Sequence, residues 1–204
     1  MKQIYIHGLG QTSDSWNKVI EQLENVEHSI CPDLAELVQG QEITYQNLYA
    51  AFSTMCDAIE GDISLCGLSL GGVLALNYAI EHSEKVKSLV LIAIQYKMPK
   101  KLLQFQNVIF RFMPKSVFQQ TGFGKADFLK LCSTMMELDF SDLIYKVTCP
   151  TLVLYGEKDR ANKNASIELA NILTNAELQV IHGAGHEINI EAPEQLTEAL
   201  RNFF

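Results

Sequence analysis

Gly67-Leu68-Ser69-Leu70-Gly71 sets a serine between two glycines. A short apolar run precedes it, Ile63-Ser64-Leu65-Cys66, and a helix-like run follows, Val73 to Ala79. Strand, sharp turn and helix in that order hold a hydroxyl out above a sheet edge. So tight a turn brings strand and helix nearly into contact, so Gly67 and Gly71 must lack side chains. Gly72 extends the bare surface. A serine hydroxyl is a weak nucleophile. It needs a base to take its proton, an anion to fix the base, and backbone donors for the oxygen that becomes negative.

The chain carries a candidate for each of these. His186 follows the last strand-like run in Gly183-Ala184-Gly185-His186, and Asp159 follows the strand-like run before it in Tyr155-Gly156-Glu157-Lys158-Asp159. His7-Gly8-Leu9-Gly10 follows the first, where the bare backbone at Gly8 lets the amide of Leu9 serve as a donor. The amide of Leu70, at the start of the helix after Ser69, is the second donor, favoured by the helix dipole. The rivals for the base are His7, His28, His82 and His182, and Glu157 competes with Asp159 for the acid. His28 and His82 read as solvated, and His7 as a brace for the first loop. His182 stands at the strand end, before the glycines that let a loop reach the serine. Gln95-Tyr96-Lys97 offers no carboxylate after the fourth strand, which favours Asp159.

The elements that must position these groups alternate. Strands are expected at residues 4–6, 28–31, 62–66, 88–94, 151–155 and 178–181. Trp16, Val19, Ile20 and Leu23 share one helical face, and further helices are expected at 44–59, after Ser69, at 164–173 and from Pro193 onward. Strands separated by helices imply an α/β fold: a three-layer sandwich with a mostly parallel sheet of about six strands and helices on both faces. Residues 95–148 break the alternation. They hold no convincing strand, an apolar stretch at 99–113 and a helix expected at 125–138. The segment reads as an insertion seated on the sheet, and it carries eight Lys and Arg against four acids.

At 204 residues the chain is expected to be one domain, 1–204, with 95–148 as a helical cap. Its 48% apolar content is ordinary, and its net charge of −8 argues against nucleic acid as a partner. No apolar run is long enough to span a membrane and no secretory leader precedes the first strand, so the protein reads as cytoplasmic. Five scattered cysteines among apolar neighbours read as buried free thiols. No spacing suggests a metal or a cofactor.

HGLG, GLSLGG, YGEKD and GAGH, with Glu191-Ala192-Pro193-Glu194 after them, resemble the motifs of the α/β-hydrolase family in order and spacing across residues 2–204. The resemblance implies Ser69 as nucleophile, Asp159 as acid, His186 as base, and the amides of Leu9 and Leu70 as the oxyanion hole. It also implies a sheet that lacks the family's first two strands, and a short cap. The activity it implies is that of a serine hydrolase cleaving a small carboxylic ester or related acyl substrate through an acyl-enzyme on Ser69. A C–C bond hydrolase, a lyase or an acyltransferase would use the same triad, and a non-catalytic small-ligand binder would share the fold. The apolar cap favours a medium acyl group, and its lysines an anionic substrate. Membrane contact through the cap is the lesser reading of its apolar surface.

Overall fold

Successive strand residues send their side chains to opposite faces of the sheet, as a period of two requires. Ile4, Ile6, Leu65, Leu89, Leu91 and Val153 enter one core. Tyr5, Cys66, Val90, Ile92, Leu152 and Leu154 enter a second core on the other side. Because both faces are covered, the central strands are apolar throughout rather than alternating. The computed structural model describes residues 1–23, 26–100, 104, 110–114, 118 and 122–204.

In chain order the described elements are β1 (Lys2–Ile6), α1 (Asn17–Ile20), β2 (Ser29–Ile30), α2 (Leu34–Leu37), α3 (Tyr45–Asp57), β3 (Ile63–Leu68), α4 (Leu70–Glu81) and β4 (Val86–Ile92). They continue with α5 (Lys125–Met135), β5 (Thr151–Gly156), α6 (Lys163–Ile172), β6 (Ala176–Ile181), α7 (Ile188–Glu191) and α8 (Pro193–Phe203). The six strands form one sheet in the order β2-β1-β3-β4-β5-β6, every neighbouring pair parallel. Helices α3 to α6 contribute to the first core, and α1, α7 and α8 to the second. This is the three-layer α/β sandwich expected from the alternation.

The order places the site. From β1 the chain goes out to β2, then crosses back to β3 on the other side of β1. The loops after β1 and β3 therefore diverge, and an open parallel sheet has its ligand crevice at such a switch point, beyond the carboxyl ends of the strands.

Local chemistry sets the helix ends. Thr44 accepts the amide of Asn47 at 3.2 Å and starts α3, and Asp33 accepts that of Ala35 at 3.0 Å and starts α2. The stretch expected as one helix around Trp16 divides into a 3₁₀ turn, Ser13–Trp16, and the single-turn α1. The four-residue helices α2 and α7 are too short to show a periodicity in sequence. All five thiols are free, with Cys56, Cys66 and Cys132 buried and Cys31 and Cys149 only half-buried. Burial pushes the thiols of Cys56 and Cys132 up to about 12, so neither ionises near neutrality.

Between β4 and β5 the described residues contain no strand beyond a single antiparallel bridge, Lys97 with Asp139. The backbone returns there: Met98 donates to the carbonyl of Leu138 and Phe140 to that of Tyr96. Helix α5 turns Phe128, Leu131, Cys132 and Met135 into the first core. Most of the apolar stretch at 99–113 lies outside the described residues. Among those residues no helix is long and apolar enough to cross a membrane.

Candidate active site

Ser69 sits between β3 and α4 with φ 52° and ψ −115°. A positive φ on a residue with a Cβ is strained and persists only where the surroundings impose it. Here they do. The Ser69 amide donates to the Ile92 carbonyl at 2.8 Å, prolonging the β3–β4 ladder, and its carbonyl already accepts from Val73 at 3.0 Å as the first bond of α4. The hydroxyl does not cap the helix and bonds to no other described group. It stands free at the helix N-terminus, where α4 leaves the Leu70 amide without an intrahelical partner.

Glycines make the turn. A Cβ on Gly67 would lie 2.4 Å from the Gly71 carbonyl carbon, and one on Gly71 would lie 2.2 Å from the Ile6 carbonyl oxygen. Both obstacles are backbone and cannot rotate away. Replacing Gly71 with alanine should therefore destabilise the protein by about 4 kcal/mol or more, or prevent folding. Urea unfolding of the purified variant checks this, and a midpoint equal to wild type would contradict it. Gly8 differs. An added Cβ would make ordinary contacts, 3.5 Å from the Ser69 Cβ. Its bareness leaves room beside the serine rather than relieving a clash.

Asp159 lies on the loop after β5 and is almost wholly buried, at 6% exposure. His186 lies on the loop after β6, and its Nδ1 stands 2.8 Å from Asp159 Oδ2. The two loops touch: a Cβ on Gly156 would lie 2.0 Å from the Gly185 carbonyl oxygen. Glu191 holds the His186 loop from both sides, accepting the amides of Gly185 at 2.7 Å and Glu187 at 3.1 Å. Burial works to raise the Asp159 pKa, but the hydrogen bonds from His186 and Asn162 outweigh it and hold the carboxyl below its ordinary value. It remains an anion facing the imidazole.

Asn162 and Gln95 are the participants that sequence reasoning missed. The Asn162 amide nitrogen donates to both Asp159 oxygens, at 3.0 and 2.8 Å, and its backbone amide donates to Oδ1 at 3.2 Å. It also lies 3.1 Å from His186 Nδ1. Gln95 Nε2 donates to Asn162 Oδ1 at 2.9 Å and to the Ala161 carbonyl at 3.0 Å, which fixes which way the Asn162 amide faces. Gln95 stands just beyond β4, where no carboxylate was available. From there it reaches the loop after the neighbouring strand β5 and holds Asn162, which in turn bonds Asp159.

Ser69, Asp159 and His186 line a single cavity of about 550 Å³, together with Leu9 and Leu70. The rival histidines are elsewhere. His7 is buried, bonding the Gly8 carbonyl at 2.9 Å through Nδ1 and accepting the Leu34 amide at 3.0 Å at Nε2. Burial holds its pKa down, so it braces the loop as a neutral ring. His28 lies beside Glu27, His182 beside Glu157, and His82 stacks on Tyr78. Glu157 accepts the Gly183 amide at 2.9 Å.

Gln95 and Asn162 line it too, and the rest of the wall is largely apolar, with Val73 from α4 and Met98, Phe110, Phe128 and Met135 from the segment after β4. Among the described residues no Lys or Arg of this segment lines the cavity. Lys97 pairs with Asp139, Lys100 with Glu137 and Lys130 with Glu42. Lys125 bonds the carbonyls of Arg111 and Met113. Lys101 and Lys115 lie outside the described residues. Also among the described residues, no group of three His, Cys, Asp or Glu is gathered as a metal site would need.

A sequence model described as the alpha/beta hydrolase family matches residues 4–199. The chain belongs to the alpha/beta hydrolase family. Within it, the chain is similar to Lipase 1 of Psychrobacter immobilis, at 23% identity over 98% of this chain and 75% of that one. An esterase from Thermogutta terrifontis has the same fold, with a TM-score of 0.82 at 22% identity over 99% of this chain and 88% of that one. So does the enol-lactonase from Burkholderia xenovorans, with a TM-score of 0.84 at 18% identity over 99% and 90%. As an alpha/beta hydrolase the protein is a hydrolase by class, and the motif order Ser, Asp, His agrees with its family.

Proposed function

We propose that this alpha/beta hydrolase cleaves neutral carboxylic esters through an acyl-enzyme on Ser69. The observation that carries the reading is the 2.8 Å contact of the buried Asp159 with His186 at the edge of a cavity that also exposes the unbonded Ser69 hydroxyl. Ser69 Oγ attacks the ester carbonyl while His186 Nε2 takes its proton. Asp159 keeps the imidazole in the tautomer whose Nδ1 carries hydrogen, and steadies it when it becomes positive. The amides of Leu9 and Leu70 receive the oxyanion. His186 then protonates the departing alkoxide, and water, activated by His186, releases the acid and frees Ser69. The Ser69–His186 bond forms as substrate enters, as contacts that are long in a free enzyme commonly do.

On this reading the described residues of the 95–148 segment that line the cavity form the acyl pocket. Its wall of Met98, Phe110, Phe128 and Met135, without a cation among the described residues, suits an uncharged aliphatic acyl group. The lipase, esterase and enol-lactonase it resembles act, by their names, on esters, and this supports the reaction type.

A graded p-nitrophenyl ester series tests the reading, with the Ser69→Ala protein as blank. Each added methylene should raise kcat/KM about fourfold until the pocket is full. Met135→Trp should move the optimum to shorter chains, and a carboxylate at the acyl terminus should lower the rate. Rates indifferent to chain length would remove the cap from the reaction.

A further inference from the structure

Gln11 and Asn189 form a buried amide pair between residues 178 positions apart. Gln11 Nε2 donates to Asn189 Oδ1 at 3.2 Å, and Asn189 Nδ2 donates back to Gln11 Oε1 at 3.1 Å. Gln11 is 6% exposed and Asn189 fully buried. Each amide has a second contact. Gln11 Nε2 donates to Glu187 Oε1 at 3.1 Å, and Asn189 Nδ2 to the Ser15 carbonyl at 3.2 Å. Gln11 also holds Gly8 at both ends, taking its amide on Oε1 at 3.3 Å and giving its own amide to the Gly8 carbonyl at 3.2 Å.

We propose that Gln11 and Asn189 are positioning residues that fix the Leu9 amide relative to His186, a proposal that rests on the Ser69–His186–Asp159 reading above. Leu9 stands between Gly8 and Gly10, the latter at φ 97°, so little in its own backbone restrains the direction of its N–H. Gln11 supplies the restraint by tying Gly8 down. It also turns the Gly8 amide away from the oxyanion position, which leaves Leu9 and Leu70 as the donors. Glu187 adjoins His186 in the chain, and Asn189 lies in α7 just beyond. The pair therefore joins the loop that offers the oxyanion donor to the loop that carries the base. All four of its amide hydrogens are used within the protein, so it has none to offer a substrate.

A purely structural pair would affect folding alone. A positioning pair affects transition-state binding, because a donor displaced by about 1 Å costs roughly a hundredfold in rate. The test is the double variant Gln11→Met/Asn189→Leu, which removes the two amides from each other but leaves the Gly8 amide and the Ser15 carbonyl without their partners, so its urea midpoint should fall and its folding is checked before kinetics. On p-nitrophenyl butyrate we expect kcat to fall about a hundredfold with KM within threefold of wild type. Affinity for phenylboronic acid, which binds as a tetrahedral oxyanion, should fall in parallel. A folded double variant with wild-type kcat overturns the proposal, as does a kcat loss that leaves boronate affinity unchanged. Asn189→Asp keeps shape and acceptor but loses both donations. It should lose kcat about tenfold, on the scale of a slightly misplaced donor, and wild-type kcat in this variant overturns the proposal if the double variant does not fold. A fluorophosphonate label on the same samples separates the two readings. Failure to label wild-type Ser69 overturns the triad and the clamp with it, whereas a labelled, active wild type with unimpaired variants overturns the clamp alone.

Discussion

Ser69→Ala should lower kcat on any ester the enzyme accepts by about a million-fold, the scale of losing a triad serine. The reason is geometric. The strained backbone at φ 52° presents this hydroxyl, unbonded, in the cavity that holds His186 and Asp159. Alanine accepts the same contacts, since the Ser69 hydroxyl contributes no hydrogen bond to the fold. Stability should therefore stay near wild type, and the binding of a non-reactive ester analogue should persist. Steady-state kinetics with a burst assay, alongside urea unfolding, checks both halves. Activity within tenfold of wild type in a folded protein would remove Ser69 from the chemistry.

Asp159→Asn should cost about ten-thousandfold in kcat with a small change in KM. Asp159 now accepts His186 Nδ1–H and three donations from Asn162. An amide at this position brings two hydrogens of its own against the Asn162 amide and the imidazole. Whichever way it turns, either Asn162 loses an acceptor or His186 is driven toward the wrong tautomer. The same geometry fixes a pH effect. The folded carboxyl lies below its ordinary value because the His186 and Asn162 hydrogen bonds outweigh burial. Its contribution to stability is present in full above the unfolded aspartate value, near 4, and is lost as the pH falls through the lower folded value. Wild type should therefore lose stability in that acid window and Asp159→Asn should lose less. Urea midpoints measured from pH 6 down to pH 3 decide the matter, and equal slopes for the two proteins would contradict it.

The candidate residues could be read in the chain because each sits on a turn that neighbouring residues specify. Gly67 and Gly71 are required by backbone contacts of 2.4 and 2.2 Å, so the serine between them announces its own geometry. The continuous apolar run Thr151 to Tyr155 marks a strand covered on both faces, and the loop after it is where Asp159 was sought; His186 was sought after the last strand, whose outer position in the sheet leaves it mostly exposed. Those signals are local, and one chain displays them.

Asn162, Gln95, Gln11 and Asn189 carry no such mark. They are ordinary polar residues in loops and short helices, and their partners lie up to 178 positions away. Tertiary structure decides both meetings: β4 and β5 are neighbours in the sheet, which lets Gln95 reach Asn162, whereas β1 and β6 have three strands between them and the segments that follow them meet only through how they pack. The lysines between β4 and β5 illustrate the reverse. Sequence counts their charge, but tertiary structure pairs Lys97, Lys100 and Lys130 with carboxylates and leaves the described wall of the cavity without a lysine. The chain by itself determined which turns could present an alcohol, an imidazole and a carboxylate, because a tight turn is set by steric contacts among near neighbours. Packing decided what supports them, because a hydrogen bond or ion pair depends on which distant surfaces the fold brings within about 3 Å.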